Sequence, residues 1–369
     1  MAKDESKKRK RPPLSTQKKL IFTAFFFAAL FLFVELGAQF TYRFFGAERK
    51  WPIVAWWQDL GQMFERHPFL VGVPKPNAVI ERFGIRITHN EHGRRGPDEV
   101  IDLSTNVYRI ATFGGSSTYC TGVEDKNTWP NFLNQMMGDG VSVHNFGVPG
   151  YTTTENLIQT ALLASEVKPH LAIYYEGYND ARTQHVLGLR PDYSHYHGPS
   201  QIPTLRLNQT VPILATVKLY RGVVYRLRKS MNAPVVKPPA KRSAGTRAVD
   251  EIAMSIYRRN LEQIVALCHA QGIRVMFVPQ QVSDGDLPAA ENLPHTRAQD
   301  INFIMDAHNA TMKEVANEQG VYFAGRVEAA KFTEKDFFDW VHMTAEANER
   351  LAGLLKAEIE DLRSASSNR

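Results

Sequence analysis

From Val107 onward, short aliphatic, β-branched and aromatic runs alternate with segments of helical periodicity, which restricts the chain to few architectures. The runs are VYRIATF from Val107, VSVHNF from Val141, HLAIYYE from His170, IRVMFV from Ile273 and VYF from Val321. Between them, Thr154 to Val167 sets Leu157, Ile158, Ala161 and Leu162 on one face. Glu251 to Gln271 spaces Tyr257, Leu261, Ile264, Val265 and Cys268 at helical intervals. Two helices stop at Gln-Gly pairs, ending in Gly272 and Gly320, and each feeds a strand. The last helix opens at Thr344 and carries Leu351, Leu354, Leu355, Ile359 and Leu362. Apolar strands alternating with helices predict an α/β fold, a three-layer, doubly wound parallel sheet of about five strands. Such a sheet places its site at the carboxyl ends of the strands.

Ahead of this region lies a different kind of segment. Leu20 to Val34 is 15 residues without a charge and with only Thr23 polar. With Glu35 near the far interface and Leu36 to Phe40 added, it reaches the roughly 20 residues a membrane-spanning helix needs. The aromatic residues that follow, from Phe40 and Tyr42 to Trp51, Trp56 and Trp57, suit an interfacial belt. Residues 1–19 hold eight of the 44 Lys and Arg but only two of the 38 Asp and Glu. The net charge of +6 therefore sits in that tail, and the rest of the chain is neutral.

This cationic flank predicts a cytoplasmic N-terminus with the remainder outside. A neutral body carries no electrostatic footprint for nucleic acid. A cleaved signal peptide would share the layout, but Leu36-Gly37-Ala38 puts a large residue where cleavage wants a small one. Lys7 to Arg11 could serve as a nuclear-localisation signal, yet one step before an apolar span it reads as a topological anchor. Two cysteines, Cys120 and Cys268, exclude a disulfide framework and a Cys-rich zinc site. The expected organisation is a basic cytoplasmic tail (1–19), a transmembrane anchor (20–40), a connector or N-terminal extension (41–105) and a catalytic domain (106–365). An insertion at 181–250 interrupts that domain, and its Pro-rich, basic end from Met231 to Arg247 reads as a loop.

The strand ends carry the chemistry. The first runs into Phe113-Gly114-Gly115-Ser116-Ser117-Thr118, and the second into Asn145-Phe146-Gly147-Val148-Pro149-Gly150. The third ends at Gly177-Tyr178-Asn179-Asp180, and Asp339-Trp340-Val341-His342 precedes the final helix. Each block alone has an ordinary reading, as a helix cap, turn glycines, a helix start or a surface pair. In this order, the blocks resemble those of the SGNH (GDSL-like) hydrolase family, over about Val107 to Asp180 and Asp339 to Leu355.

The resemblance implies a flavodoxin-like fold and acyl chemistry without a cofactor or metal. By it, Ser116 is the nucleophile, His342 its base and Asp339 the group that orients the imidazole. The oxyanion hole would comprise the Ser116 and Gly150 backbone N–H groups and the Asn179 side-chain amide. Gly115 departs from the family pattern, which has Asp before the serine. The Ser116-Ser117 doublet leaves the nucleophile ambiguous by one position, and alignment of Gly-Gly-Ser with Gly-Asp-Ser selects Ser116. Asp180 is expected to cap the following helix, and Cys120 to be a small buried residue near the site.

Two further segments invite attention. His195-Tyr196-His197 beside Tyr193 resembles half a metal site, but no carboxylate or cysteine stands at ligand spacing. Aromatic sugar-stacking groups or solvated loop residues are the readings left. Leu214 to Lys229 reads equally as a lid that contacts membrane or anionic polymer and as a solvated helix. The expectation is a membrane-tethered serine esterase acting on an acylated, for example acetylated, envelope carbohydrate or lipid. The alternatives are an O-acetyltransferase for an exported polysaccharide and a non-catalytic binding or scaffold protein that keeps the fold.

Overall fold

The structure is a computed structural model that describes residues 15–44, most of 63–103, most of 106–193, 249–284 and 300–367. The basic tail up to residue 14, His195-Tyr196-His197, and Leu214 to Lys229 with most of the insertion lie outside the described residues.

Helix α1, Thr16–Phe44, has 29 residues, and Thr16–Phe40 within it is long and apolar enough to cross a membrane. Its phenylalanines from Phe22 to Phe40, among them Phe25, Phe26 and Phe33, are exposed. A span of this length covers the hydrocarbon thickness of a bilayer.

The parallel sheet comprises β1 (Tyr108–Gly114), β2 (Val141–Asn145), β3 (Leu171–Glu176), β4 (Arg274–Pro279) and β5 (Tyr322–Phe323). Its spatial order is β2-β1-β3-β4-β5, every pair parallel. The chain moves outward from β1 to β2, then crosses back to β3 on the other side of β1. Consecutive right-handed crossovers in opposite directions lie on opposite faces of the sheet. The order therefore creates a switch point between the carboxyl ends of β1 and β3, where open α/β sheets hold their ligands.

The helices follow from that winding. They are α2 (Ser116–Tyr119), α3 (Trp129–Met137), α4 (Thr153–Leu162), α5 (Tyr178–Ala181), α6 (Glu251–Ala270), α7 (Ile301–Gln319), α8 (Gly325–Ala329) and α9 (Ala345–Ser367). On one face, Trp129 and Leu133 of α3 and Leu351, Leu355 and Ile359 of α9 pack on Ile110, Leu171, Ile173 and Met276. On the other, Tyr257, Leu261 and Ile264 of α6 and Met312 and Val315 of α7 cover Ala111, Phe113, Tyr174 and Phe277. Successive strand residues serve opposite cores, so β3 is buried along its whole length.

Gly320 adopts a left-handed φ of 65° after α7, and Gly272 a φ of 70° just past α6, the conformation that glycine supplies at a helix end. The final helix starts one residue after Thr344, whose hydroxyl accepts from Ala347 N at 3.2 Å.

Helix α4 forms as the periodicity predicts, yet the side chains it buries most fully are polar. Its fully buried side chains are Thr153, Glu155, Asn156, Gln159 and Thr160, whereas Leu162 is half exposed. The polar face turns inward because each group finds a partner there. Glu155 closes a capping box with Thr152, Asn156 donates to Glu176, Gln159 donates to the Phe146 carbonyl, and Thr160 pairs with the Tyr174 hydroxyl.

Part of the segment before β1 is built onto the strand ends. Two antiparallel pairs form, Phe64–Glu65 with Val73–Pro74 and Val79–Arg82 with Ile85–Thr88. Met63, Phe64 and Leu70 join Tyr119, Val148 and Tyr151 in a separate apolar cluster.

Candidate active site

Strand β1 ends in a turn that only small residues allow. Gly114 has φ 158°, and a β-carbon there would collide with the Thr118 hydroxyl and the Tyr175 carbonyl. After Gly115 the chain enters α2 at once, so Ser116 stands at the first helical position, above the carboxyl end of the sheet. Gly147 lets a second backbone approach: a β-carbon on it would overlap Tyr119 N and the carbonyl carbon of Thr118. Asn145 ties the same contact by donating to the Thr118 carbonyl at 3.1 Å.

The loop before α9 brings the imidazole over this turn. His342 Nε2 lies 2.7 Å from Ser116 Oγ, and His342 Nδ1 lies 2.6 Å from Asp339 Oδ2. The other carboxylate oxygen of Asp339 accepts from Val341 N and His342 N, each at 3.0 Å. The i,i+3 spacing thus folds into a turn that caps itself. Burial pushes the Asp339 carboxyl up, but the hydrogen bond and charge of His342 and the two backbone donors together hold it below its ordinary value. Both side chains stay accessible, His342 at 21% and Asp339 at 35% exposure.

Asn179 is the second residue of α5, which starts at Tyr178 directly after Gly177, a glycine with a φ of 141°. Its Nδ2 donates to the Tyr151 carbonyl at 2.7 Å, which fixes the amide beside Gly150. Gly150 has a left-handed φ of 86°, a conformation suited to glycine. An amide nitrogen carries two hydrogens, so one remains for a substrate oxygen. The first-turn N–H of Ser116 has no acceptor within its helix. Ser116, His342 and Asp339 are hydrogen-bonded in series, and Asn179 and the Gly150 loop are joined through Tyr151.

Neighbouring residues divide into supports and bystanders. Ser117 is buried and donates to the Val341 carbonyl at 3.2 Å. Cys120 is buried as expected, its thiol pushed up to about 12 by that burial. Asp180 lies inside the single turn of α5 and does not cap a helix after it. Its carboxyl accepts from Thr153 N at 3.1 Å and from the Thr153 hydroxyl at 2.6 Å, so it holds the start of α4 instead. The reversal is physical, since α5 is a single turn while α4 presents unpaired N–H groups toward the strand end.

Two functional supports have no motif. Arg95 is fully buried and donates to the carbonyls of Tyr119 and Cys120, each at 2.6 Å, and to that of Val123. It also pairs with Asp125 at 3.2 Å and stacks over the Tyr119 ring. Gln280 follows β4 and donates to Ser117 Oγ at 2.9 Å. Its position just past a strand end was the available signal. Among the described residues no group of three or more His, Cys, Asp or Glu side chains could hold a metal ion.

Comparison with known proteins follows the same lines. Residues 112–350 match the sequence profile of the GDSL-like lipase/acylhydrolase family. Among solved structures the chain is similar to a GDSL-like lipase from Bacteroides thetaiotaomicron, with 14% identity over 72% of this chain and 93% of that one, at a TM-score of 0.42. A lipase/acylhydrolase from Enterococcus faecalis shares 15% identity over 69% and 96%, at 0.41. A catalytic mutant of an acetylxylan esterase from Geobacillus stearothermophilus shares 12% over 68% and 94%, at 0.40. No curated protein sequence matches the chain.

Proposed function

Because the chain belongs to the GDSL-like lipase/acylhydrolase family and is a serine ester hydrolase, we propose that it works by an acyl-enzyme mechanism on an acylated carbohydrate or lipid beside a membrane. The observation that carries the reading is the hydrogen-bonded series from Ser116 through His342 to Asp339, drawn together from opposite ends of the domain.

In the proposed reaction His342 Nε2 takes the Ser116 proton as Oγ attacks the ester carbonyl. Asp339 holds the tautomer that leaves Nε2 able to accept, and stabilises the imidazolium that forms. The tetrahedral oxyanion is met by the N–H groups of Ser116 and Gly150 and by the Asn179 amide, donors set before the reaction begins. Collapse expels the alcohol, protonated by His342, and water then repeats the sequence on the acyl-serine.

Helix α1 would tether the domain, with the basic tail in the cytoplasm and the catalytic domain outside. That placement confines the site to envelope polymers and lipids. Protease accessibility in intact cells, with sequencing of the mature N-terminus, tests the tether against a cleaved leader.

The chemical test uses the full chain in detergent with a fluorophosphonate probe and p-nitrophenyl acetate. Wild type is expected to label and turn over, and Ser116→Ala to do neither. Unlabelled wild type, or labelling that survives Ser116→Ala, overturns the reading. Product analysis with and without an oligosaccharide acceptor separates hydrolysis from acyl transfer.

A further inference from the structure

Gln280 occupies a place that the catalytic reading leaves unused. Its Nε2 donates to Ser117 Oγ at 2.9 Å, and its Oε1 accepts from Tyr178 N at 2.8 Å. The Ser117 hydroxyl itself donates to the Val341 carbonyl at 3.2 Å. Asn179 then donates to the Tyr151 carbonyl at 2.7 Å. Every link rests on a residue one step away in sequence from a proposed reacting group. Ser117 adjoins Ser116, Val341 adjoins His342, Tyr178 adjoins Asn179, and Tyr151 adjoins Gly150. The backbone of Gln280 is itself pinned, its N–H donating to Asn309 Oδ1 at 3.0 Å and its carbonyl accepting from Asn309 Nδ2 at 3.1 Å.

Resting on the function proposed above, we infer that Gln280 is a positioning residue that sets the nucleophile, imidazole and oxyanion segments in register through Ser117 and Tyr178. The physical basis is the satisfaction of both ends of one buried amide. A primary amide has a donor end and an acceptor end, so the two bonds fix its orientation and leave no equivalent flipped state. The Ser117 hydroxyl is fixed likewise, since accepting from Gln280 directs its single proton to Val341. The three segments reach the site from chain regions far apart, and a fraction of an ångström between them decides whether Ser116 Oγ, Nε2 and the amide converge on one carbonyl. Removal of the amide would free each segment to settle separately.

The test compares full-length wild type, Gln280→Ala, Gln280→Glu, Ser117→Ala and the Ser117→Ala/Gln280→Ala double variant on p-nitrophenyl acetate. Rates are expressed per site titrated by the fluorophosphonate, so misfolded protein drops out. Gln280→Ala and Ser117→Ala are each expected to lower kcat about 10- to 100-fold with KM changed less than about three-fold. Gln280→Glu keeps the acceptor for Tyr178 N and is expected to fall between wild type and Gln280→Ala. The double variant is expected to lose no more than about three-fold beyond the worse single variant, because the two side chains act as one unit. Normal kcat per titrated site in Gln280→Ala, or losses that multiply in the double variant, overturns the inference. Wild type that fails to label defeats the hydrolase reading itself, which is a separate result.

Discussion

The side-chain amide of Asn179 occupies the space that a β-carbon on Gly115 would need. Gly115 has a negative φ of −83°, so the demand for glycine here comes not from a left-handed backbone but from room. The family pattern has Asp at this position. Here the nucleophile turn and the proposed oxyanion amide are packed too closely for any side chain between them. Gly115→Ala is therefore expected to displace Asn179 and lower kcat about 100-fold, near the effect of losing one oxyanion donor. Steady-state rates per fluorophosphonate-titrated site check this, and a rate within about three-fold of wild type counts against it.

Asp339→Asn retains the shape of the turn before α9 but replaces an acceptor with a donor facing His342 Nδ1. An imidazole forced into the other tautomer presents N–H, not a lone pair, to Ser116. The expected loss in kcat is about 1,000- to 10,000-fold, with KM little changed. The carboxyl is held below its ordinary value in the fold, so its stabilising contribution is complete above the unfolded value and disappears as pH falls through the folded one. The difference in thermal midpoint between wild type and Asp339→Asn should accordingly shrink below pH 4. A difference that grows on acidification has the wrong sign for this account.

Arg95 reaches from the segment before the sheet into the turn after the nucleophile helix. Its planar fork serves the carbonyls of Tyr119, Cys120 and Val123 and the carboxylate of Asp125 at once. Truncation leaves three carbonyls and the partly buried carboxylate of Asp125 short of a partner, an effect of about 3–5 kcal/mol. Arg95→Ala is expected to lower the thermal midpoint by roughly 10 °C. Arg95→Lys should recover less than half, since one ammonium cannot span those acceptors. A fragment beginning at residue 106 is expected to be insoluble, for want of the same contacts. Thermal scans of the full chain and solubility of the fragment decide it; a fully soluble, cooperatively folded fragment would refute it.

How far the sequence could be read depended on which physical rule governed each residue. The strands were legible because doubly covered parallel strands must be apolar on both faces, as Leu171 to Tyr175 are. The blocks that meet at the site were legible because close backbone approach demands glycine at Gly114 and Gly147, beside reactive residues at strand ends. Helix α4 was legible as a helix but its most buried side chains were not, because periodicity assumes that the apolar face is the buried one. There the polar face is inside, satisfied by Glu176, Tyr174 and the Phe146 carbonyl, partners hidden until the chain is folded. Asp180 was misjudged for the same reason, its partner Thr153 lying 27 residues away. Arg95 and Gln280 belong to no local pattern, because each serves carbonyls or hydroxyls on distant segments.

The buried carboxyls behind Asn179 make stability depend on pH in a defined direction. Burial raises Asp180 from an ordinary 3.8 to about 7, against the hydrogen bonds from Thr153. Glu176 is pushed up by burial and then by the charges of Asp180 and Glu155. Between about pH 4 and 7 the folded protein thus holds protons that the unfolded chain has released. Stability must then fall as pH rises through that window. One pH unit of such separation is worth about 1.4 kcal/mol, so the thermal midpoint at pH 8 is expected to lie several degrees below that at pH 5.5. Asp180→Asn removes one of these protons, and its amide cannot accept from both the N–H and the hydroxyl of Thr153. The variant should be less stable at pH 5.5 and show a shallower decline toward pH 8. Differential scanning of both proteins across the window provides the check, and a wild-type midpoint that is flat or rises from pH 5.5 to 8 rules out protonated carboxyls beneath the site.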